Sequence, residues 1–136
     1  MSLGNLRSSR TRYEPRRAPV SPGGTVQGQE ANSWELRTAK ALDKLKLRYF
    51  YQFRLSPELR GIGYSVLDFL VLTVPTSTPL EVNGDYWHRP VVNKDQSLLV
   101  ANLHQAGIYA PLVILWGADL VDDDTTLASL RRELGM

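Results

Sequence analysis

The stretch Val66-Leu67-Asp68-Phe69-Leu70-Val71 is an apolar run with a single carboxylate at its centre. Together with its neighbours it predicts a strand over residues 64–74 that is buried in a sheet. Burying a carboxylate costs free energy unless the group is hydrogen-bonded, ion-paired or bound to a cation. Asp68 therefore needs a partner, which the sequence leaves open between a backbone turn, Arg54 and a metal ion.

Three further strands are predicted from short apolar or alternating segments. The first covers residues 49–55, where one face carries Tyr49, Tyr51, Phe53 and Leu55. Another covers residues 80–83 and ends at Gly84. The last covers residues 112–116, and because it is entirely apolar we expect it at the centre of the sheet.

Three helices complete the predicted fold. The first begins at Asn32, where Asn32 and Glu35 have the spacing of a capping box, and it ends near residue 46. The second covers residues 94–106, and Asp124 is expected to cap the third. The order α-β-β-β-α-β-α predicts a single α/β or α+β domain with a mixed four-stranded sheet flanked by helices.

Length and composition exclude several classes of protein. The chain has 136 residues, which suits one domain, and it has no cysteine. Disulfides, a thiol nucleophile and Cys-ligated zinc or iron–sulfur centres are therefore excluded. No apolar h-region follows Met1, so we expect no signal peptide, and no apolar run reaches about 18 residues. We therefore expect no membrane partner and a cytoplasmic location.

The N-terminal segment differs in composition from the rest. It carries five arginines against one acid, is rich in Ser, Gly and Pro, and lacks apolar periodicity. We therefore divide the chain into a flexible basic arm, residues 1–29, and a folded domain, residues 30–136. The arm is expected to bind nucleic-acid phosphates or a neighbouring protein subunit, or else to remain solvated. Its arginines are Arg7, Arg10, Arg12, Arg16 and Arg17.

Glu81 is the second acid expected near Asp68, because it lies in the next predicted strand. If the two strands form a hairpin, the two carboxylates lie side by side, and their repulsion favours a bound divalent cation such as Mg²⁺. Glu35 is a further candidate ligand, although the capping box alone accounts for it.

His88 lies in the loop after this strand, seven residues beyond Glu81. A neutral histidine there is suited to act as a general base or to activate water beside a metal. The simpler alternative is an ordinary surface histidine. Asp95 lies at the predicted start of the second helix. The helix dipole alone explains an acid there, because it favours negative charge at a helix N-terminus.

Three segments together resemble a known family. They are 67–69 (Leu-Asp-Phe), 80–88 (Leu-Glu-Val-Asn-Gly-Asp-Tyr-Trp-His) and 112–120 (Leu-Val-Ile-Leu-Trp-Gly-Ala-Asp-Leu). Over residues 32–134 the chain resembles the very-short-patch repair endonucleases and, more widely, small nuclease domains of the restriction-endonuclease-like (PD-(D/E)XK) fold. The resemblance implies a DNA endonuclease that depends on Mg²⁺ or Mn²⁺ and hydrolyses phosphodiester bonds through a metal-activated water.

Carried over residue by residue, the resemblance implies a metal site. Its ligands would be Asp68, Glu81 and Glu35, and His88 would be the catalytic histidine that helps to activate water. Asn83 is included in the catalytic group, at a place where the repair enzymes carry histidine and the wider set aspartate or lysine. An amide orients water but is neither a strong base nor a strong electrophile. No structural zinc is expected, because the repair enzymes' zinc site needs cysteine.

Four further residues take supporting roles in this interpretation. Gln52 and Asp95 stand where the wider set often has glutamine and aspartate, beside the metal ligands rather than among them. Tyr86 and Trp87 precede His88, where aromatic side chains of the repair enzymes wedge into the DNA stack. The alternative is that both rings cover the edge of the core.

Two other functions are compatible with the sequence. One is a nuclease-fold structural or interaction protein with weakened catalysis, for example in a phage particle or a DNA-processing complex. Its basic arm would then bind a neighbour or nucleic acid, and its location would be the virion if it belongs to a phage. The other is a non-catalytic nucleic-acid-binding module. Asn83 favours weakened catalysis, whereas Asp68, Glu81 and His88 favour the enzyme.

Overall fold

The computed structural model describes residues 22–55, 65–84 and 94–136. In these ranges the chain forms a β-hairpin, a mixed four-stranded sheet, three α-helices and a short 3₁₀ helix. After the hairpin the strands and α-helices follow the predicted order α-β-β-β-α-β-α. The predicted α+β class and mixed sheet are therefore confirmed.

The hairpin consists of β1 (Pro22–Val26) and β2 (Gln29–Asn32), which pair antiparallel. Val26 and Ala31 are buried in the main core, the cluster of buried side chains that also includes Leu42, Phe69 and Leu115. The predicted boundary of the flexible arm at residue 29 is therefore wrong, because Pro22–Val26 already belongs to a β-hairpin. The polar composition of this segment carries no sign of the hairpin, in which Val26 and Ala31 supply buried apolar side chains.

Four strands form the main sheet, and they lie side by side in the order in which they follow along the chain. They are β3 (Tyr49–Leu55), β4 (Ser65–Val71), β5 (Thr78–Asn83) and β6 (Val113–Trp116). β3 pairs antiparallel with β4, and β4 with β5, whereas β6 runs parallel to β5. The neighbouring strands β4 and β5 thus form the predicted hairpin.

The hairpin of β1 and β2 is joined to the outer edge of β3 by the side chain of Gln27. Its Nε2 donates to the carbonyl of Tyr49 at 2.7 Å, and its Oε1 accepts from the N–H of Tyr51 at 2.9 Å. The primary amide of Gln27 therefore bonds to the edge strand as a peptide group of another strand would. This arrangement covers an edge that would otherwise offer unpaired backbone groups.

The predicted central position of the last strand is wrong. Within the described residues β6 lies at an edge of the sheet, beside β5. Its sequence is apolar because both of its faces are covered: Val113 and Leu115 are buried, and Ile114 and Trp116 are half-buried. An apolar run therefore indicates cover above and below the strand and not a central place in the strand order.

The side-chain alternation of β3 reverses at Gln52. Tyr51 belongs to the main core, whereas Leu55 belongs to a second core cluster, although residues four apart in a regular strand share a face. Gln52 has a φ of 57°, in the left-handed region. The predicted common face of Tyr49, Tyr51, Phe53 and Leu55 is therefore wrong beyond this residue.

The α-helices are α1 (Ser33–Lys44), α2 (Lys94–Gln105) and α3 (Asp123–Glu133). Helices α1 and α3 contribute Leu42 and Leu130 to the main core, and α2 contributes Leu99 and Leu103 to the second cluster. The two clusters lie on opposite faces of the sheet at the end of β4, because Phe69 and Val71 belong to the main core and Leu70, between them, belongs to the second cluster. None of the helices in the described ranges has the length and apolar content to cross a bilayer.

The capping box of α1 is confirmed, whereas the predicted cap of α3 is wrong. The Asn32 side chain accepts from the N–H of Glu35 at 2.8 Å, and Glu35 Oε1 accepts from the N–H of Asn32 at 3.1 Å. Asp122, not Asp124, caps α3 by accepting from the N–H of Thr125 at 2.7 Å. The cap therefore lies two residues before the predicted one, directly after Val121, which follows the 3₁₀ helix Gly117–Leu120.

Candidate active site

Asp68 and Glu81 lie opposite each other on adjacent strands. The antiparallel register of β4 and β5 ends at the pair Phe69 and Leu80, and one further step places Asp68 opposite Glu81. The backbone N–H of Asp68 donates to Glu81 Oε2 at 3.0 Å, and the N–H of Val82 donates to Asp68 Oδ2 at 2.8 Å. The structure thus brings the two predicted acids together, and each carboxylate reaches the backbone of the other strand.

The hydrogen bond from Val82 satisfies one oxygen of the buried carboxylate of Asp68, which is 1% exposed. A carboxylate that accepts a backbone N–H is stabilised in its charged form, and the amide would otherwise lack its partner in the sheet. The sequence predicts a backbone turn as one partner of Asp68, whereas the backbone donor is Val82 in the neighbouring strand.

Gln52 lies on the other side of Asp68. The pairs Tyr51–Phe69 and Phe53–Leu67 share one register, and this register places Gln52 opposite Asp68. Gln52 and Asp68 do not themselves form a regular backbone pair. Gln52, Asp68 and Glu81 therefore form a row across three neighbouring strands, called the polar row below. The left-handed backbone of Gln52 and the carboxylate bridges interrupt regular pairing on both sides of Asp68.

The amide of Gln52 contains a buried donor. Its Nε2 is inaccessible to solvent and has no hydrogen-bond partner in the part of the chain that the structure describes. The residue as a whole is half-buried. Buried polar groups without partners are uncommon in native proteins and concentrate at functional sites.

Glu35 lies on α1 and is 1% exposed. Its Oε1 accepts from the hydroxyl of Tyr51 at 2.7 Å as well as from the N–H of Asn32. Tyr51 immediately precedes Gln52 in β3, so Glu35 is linked to the strand that begins the polar row. Within the three described ranges, no group of three or more His, Cys, Asp or Glu side chains is placed to hold a metal ion.

Gly84, directly after β5, lies against the ring of Trp34 in the first turn of α1. A Cβ on residue 84 would stand 2.3 Å from Trp34 Cδ2 and 2.5 Å from Cε2, so the backbone approaches the ring in a way that only glycine allows. Asn83 precedes this contact and is half-buried. Trp34 had no predicted role, since a lone tryptophan in a helix carries no signal of its partner.

Several predicted site residues lie outside the described residues. The side chain of Asp95, in the first turn of α2, is among them. The others are Arg7, Arg10, Arg12, Arg16, Arg17, Tyr86, Trp87 and His88. Their predicted roles stay predictions.

Among the residues that the structure describes, Tyr49 and Asp122 have shifted pKa values. Burial raises the pKa of Tyr49, and the nearby carboxylate of Asp43 adds to the shift. The pKa of Asp122 is lowered chiefly by the hydrogen bond from the backbone of Thr125, with a smaller contribution from the charge of Arg37. Asp122 is therefore ionised at neutral pH, as an anion at a helix N-terminus should be.

The chain matches no protein-family model, and no curated protein or solved structure is significantly similar to it.

Proposed function

We propose that the protein is a metal-dependent DNA endonuclease that hydrolyses phosphodiester bonds. The observation that carries the proposal is the pair Asp68 and Glu81, two carboxylates on adjacent strands at a point where regular pairing stops. The order of elements and the mixed sheet are those implied by the resemblance to restriction-endonuclease-like nucleases, and they support the proposal.

The side chains available at the pair fit a hard divalent cation, because Mg²⁺ and Mn²⁺ prefer carboxylate oxygens. Asp68 and Glu81 would hold the ion, and Glu35 is the candidate third ligand. Such an ion polarises a phosphate oxygen and makes a bound water more acidic.

The residues around the acids would complete the reaction. His88 would accept a proton from the attacking water, and the amide of Asn83 would orient that water. Tyr86 and Trp87 would stack on DNA bases, and Asp95 would support the metal ligands from α2. The basic arm would bind phosphates without regard to sequence, and its affinity would fall with salt.

A second candidate function is a structural or interaction protein that keeps the nuclease fold with weakened catalysis. It is favoured by the use that the fold makes of the two acids, since Asp68 and Glu81 each accept a hydrogen bond from a backbone N–H of the hairpin formed by β4 and β5. The enzyme would act in the cytoplasm, whereas an assembly component of a phage would be carried in the virion with its arm bound to a neighbour or to DNA.

The test is nicking of supercoiled plasmid by the full chain with Mg²⁺, with Mn²⁺ and with a chelator. Asp68→Asn and Glu81→Gln keep an oxygen that can accept the backbone N–H, so these variants should fold while their affinity for metal falls. We expect each to lower the nicking rate by about a hundredfold or more, since even residues behind the ligands change activity roughly 10–100-fold. Asp124→Asn removes an exposed acid in α3 and serves as the matched control.

The outcomes separate the two candidates. Metal-dependent nicking by the wild type and by Asp124→Asn, lost in Asp68→Asn, supports the enzyme. Absence of nicking by the wild type with either metal, or equal nicking by the wild type and Asp68→Asn, contradicts it. DNA binding that persists without metal and disappears when residues 1–21 are deleted would then favour the non-catalytic function.

A further inference from the structure

We infer that the side-chain amide of Gln52 binds substrate, by donating a hydrogen bond from Nε2 to an anionic oxygen of a phosphate group held beside Asp68. The inference rests on the proposed function, since it assigns part of the same site to the phosphate of the nucleic acid. The evidence is two features of Gln52 that oppose folding. They are its left-handed backbone and its buried Nε2 donor, which bonds to none of the described residues.

The first feature is the backbone of Gln52. Its φ of 57° lies in a region that residues with a Cβ avoid, in the middle of a strand whose other residues are extended. Non-glycine residues persist in this conformation where the surrounding structure requires it, and such residues cluster at binding and active sites.

The second feature is the unpartnered donor. The Nε2 group of Gln52 is shielded from solvent and donates to none of the described residues. Losing hydrogen bonds to water without replacing them opposes folding, so the amide in this position destabilises the unliganded protein. A ligand oxygen would restore the missing bond.

Gln27 shows what a similar amide does when it serves the fold. Gln27 also has a left-handed φ, 50°, but its amide bonds to Tyr49 and Tyr51 at 2.7 and 2.9 Å. The same residue type in a similar backbone conformation is therefore satisfied at one position and unsatisfied at the other. The contrast points to a ligand at Gln52.

The chemistry of the group selects the ligand. An NH₂ group donates and cannot ligate a cation, so Nε2 is not a metal ligand. The register places Gln52 level with Asp68, where an anion is repelled by two carboxylates unless a cation and hydrogen-bond donors offset them. A phosphate oxygen beside a divalent cation meets both conditions. Because Gln52 is half-buried and its side chain has three rotatable bonds, the amide can turn toward such a ligand.

Three variants separate binding from folding. Gln52→Gly keeps the left-handed backbone accessible and removes the amide, whereas Gln52→Glu keeps the shape and replaces the donor by an anionic acceptor. Gln27→Gly is the matched control. Stability is measured as the midpoint of urea unfolding without ligand. Binding is measured as the fluorescence anisotropy of a labelled short DNA duplex, with Ca²⁺ replacing Mg²⁺.

Gln52→Gly should unfold at a urea concentration equal to or above that of the wild type, and Gln27→Gly at a lower one. Duplex affinity should fall about tenfold or more in Gln52→Gly, as expected for one hydrogen bond to a charged group, and further in Gln52→Glu. Gln27→Gly should bind the duplex as the wild type does.

The inference is overturned if Gln52→Gly lowers the urea midpoint as much as Gln27→Gly does, if it binds the duplex as tightly as the wild type, or if the wild type binds no duplex. Failure of the proposed function looks different: the wild type binds the duplex in a manner that depends on Gln52 but cuts no DNA with Mg²⁺ or Mn²⁺.

Discussion

The indole ring of Trp34 lies against the backbone of Gly84, leaving no room for a side chain at residue 84. Trp34 is next to Glu35 in α1, and Gly84 ends the segment that carries Glu81. The contact therefore ties the strand of one candidate metal ligand to the helix of another.

Gly84→Ala should lower the free energy of unfolding by about 1–3 kcal/mol, the usual range for adding a methyl group to a filled space. The added Cβ would stand 2.3–2.6 Å from three atoms of the Trp34 ring, so either the ring or the strand must move. Urea unfolding followed by circular dichroism measures the change.

A second substitution tests whether the ring is the cause. Trp34→Leu lowers stability through lost packing, but it also removes the atoms that the new Cβ would meet. In the double variant, Gly84→Ala should therefore cost less than it costs in the wild type. Strictly additive effects of the two substitutions would show that Trp34 is not what excludes alanine.

Asp68→Ala should lower the free energy of unfolding by about 1–3 kcal/mol, because it leaves the N–H of Val82 buried without its acceptor. Asp68→Asn retains an oxygen at this place and should cost less in the absence of metal. Urea unfolding in a chelator compares the two variants. Equal losses of unfolding free energy in both variants would mean that the charge of Asp68, rather than its hydrogen bond to Val82, stabilises the hairpin of β4 and β5.

Much of the fold follows from local signals in the sequence. β3 has the predicted bounds, Tyr49–Leu55, because its residues alternate and are rich in aromatic side chains. The capping box of Asn32 and Glu35 is a contact between neighbours in the chain, so it was also predictable. The closeness of Asp68 and Glu81 followed from pairing two consecutive strands and needed no long-range information.

The features that were missed depend on the rest of the molecule. The left-handed conformation of Gln52 has no signal in the sequence, since glutamine in an alternating strand predicts extended backbone. The edge position of β6 depends on which strands pair with each other. An apolar segment such as residues 113–116 is compatible with a central strand and with an edge strand. The contact of Trp34 with Gly84 joins residues 50 positions apart in the sequence.

Tyr51→Phe should lower the free energy of unfolding by about 1.5–3 kcal/mol, the range for a hydrogen bond to a charged group. The Tyr51 hydroxyl donates to Glu35 Oε1 at 2.7 Å, and Glu35 is almost completely buried. Tyr109→Phe is the control, because the ring of Tyr109 is 72% exposed. If both variants unfold at the urea midpoint of the wild type, the hydroxyl of Tyr51 does not stabilise Glu35.

Stability at acidic pH should depend on Asp122, whose pKa is lowered below its usual 3.8 chiefly by the backbone hydrogen bond from Thr125. Because folding favours the charged form, this contribution is present above the usual pKa and is lost as the pH falls through the lower, folded-state value. In the variant Asp122→Asn, the new amide would still cap α3 but would carry no charge. Thermal unfolding should therefore show the wild type more stable than this variant at neutral pH, with a difference that shrinks as the pH falls below the usual pKa. A difference that does not change with pH would contradict this assignment.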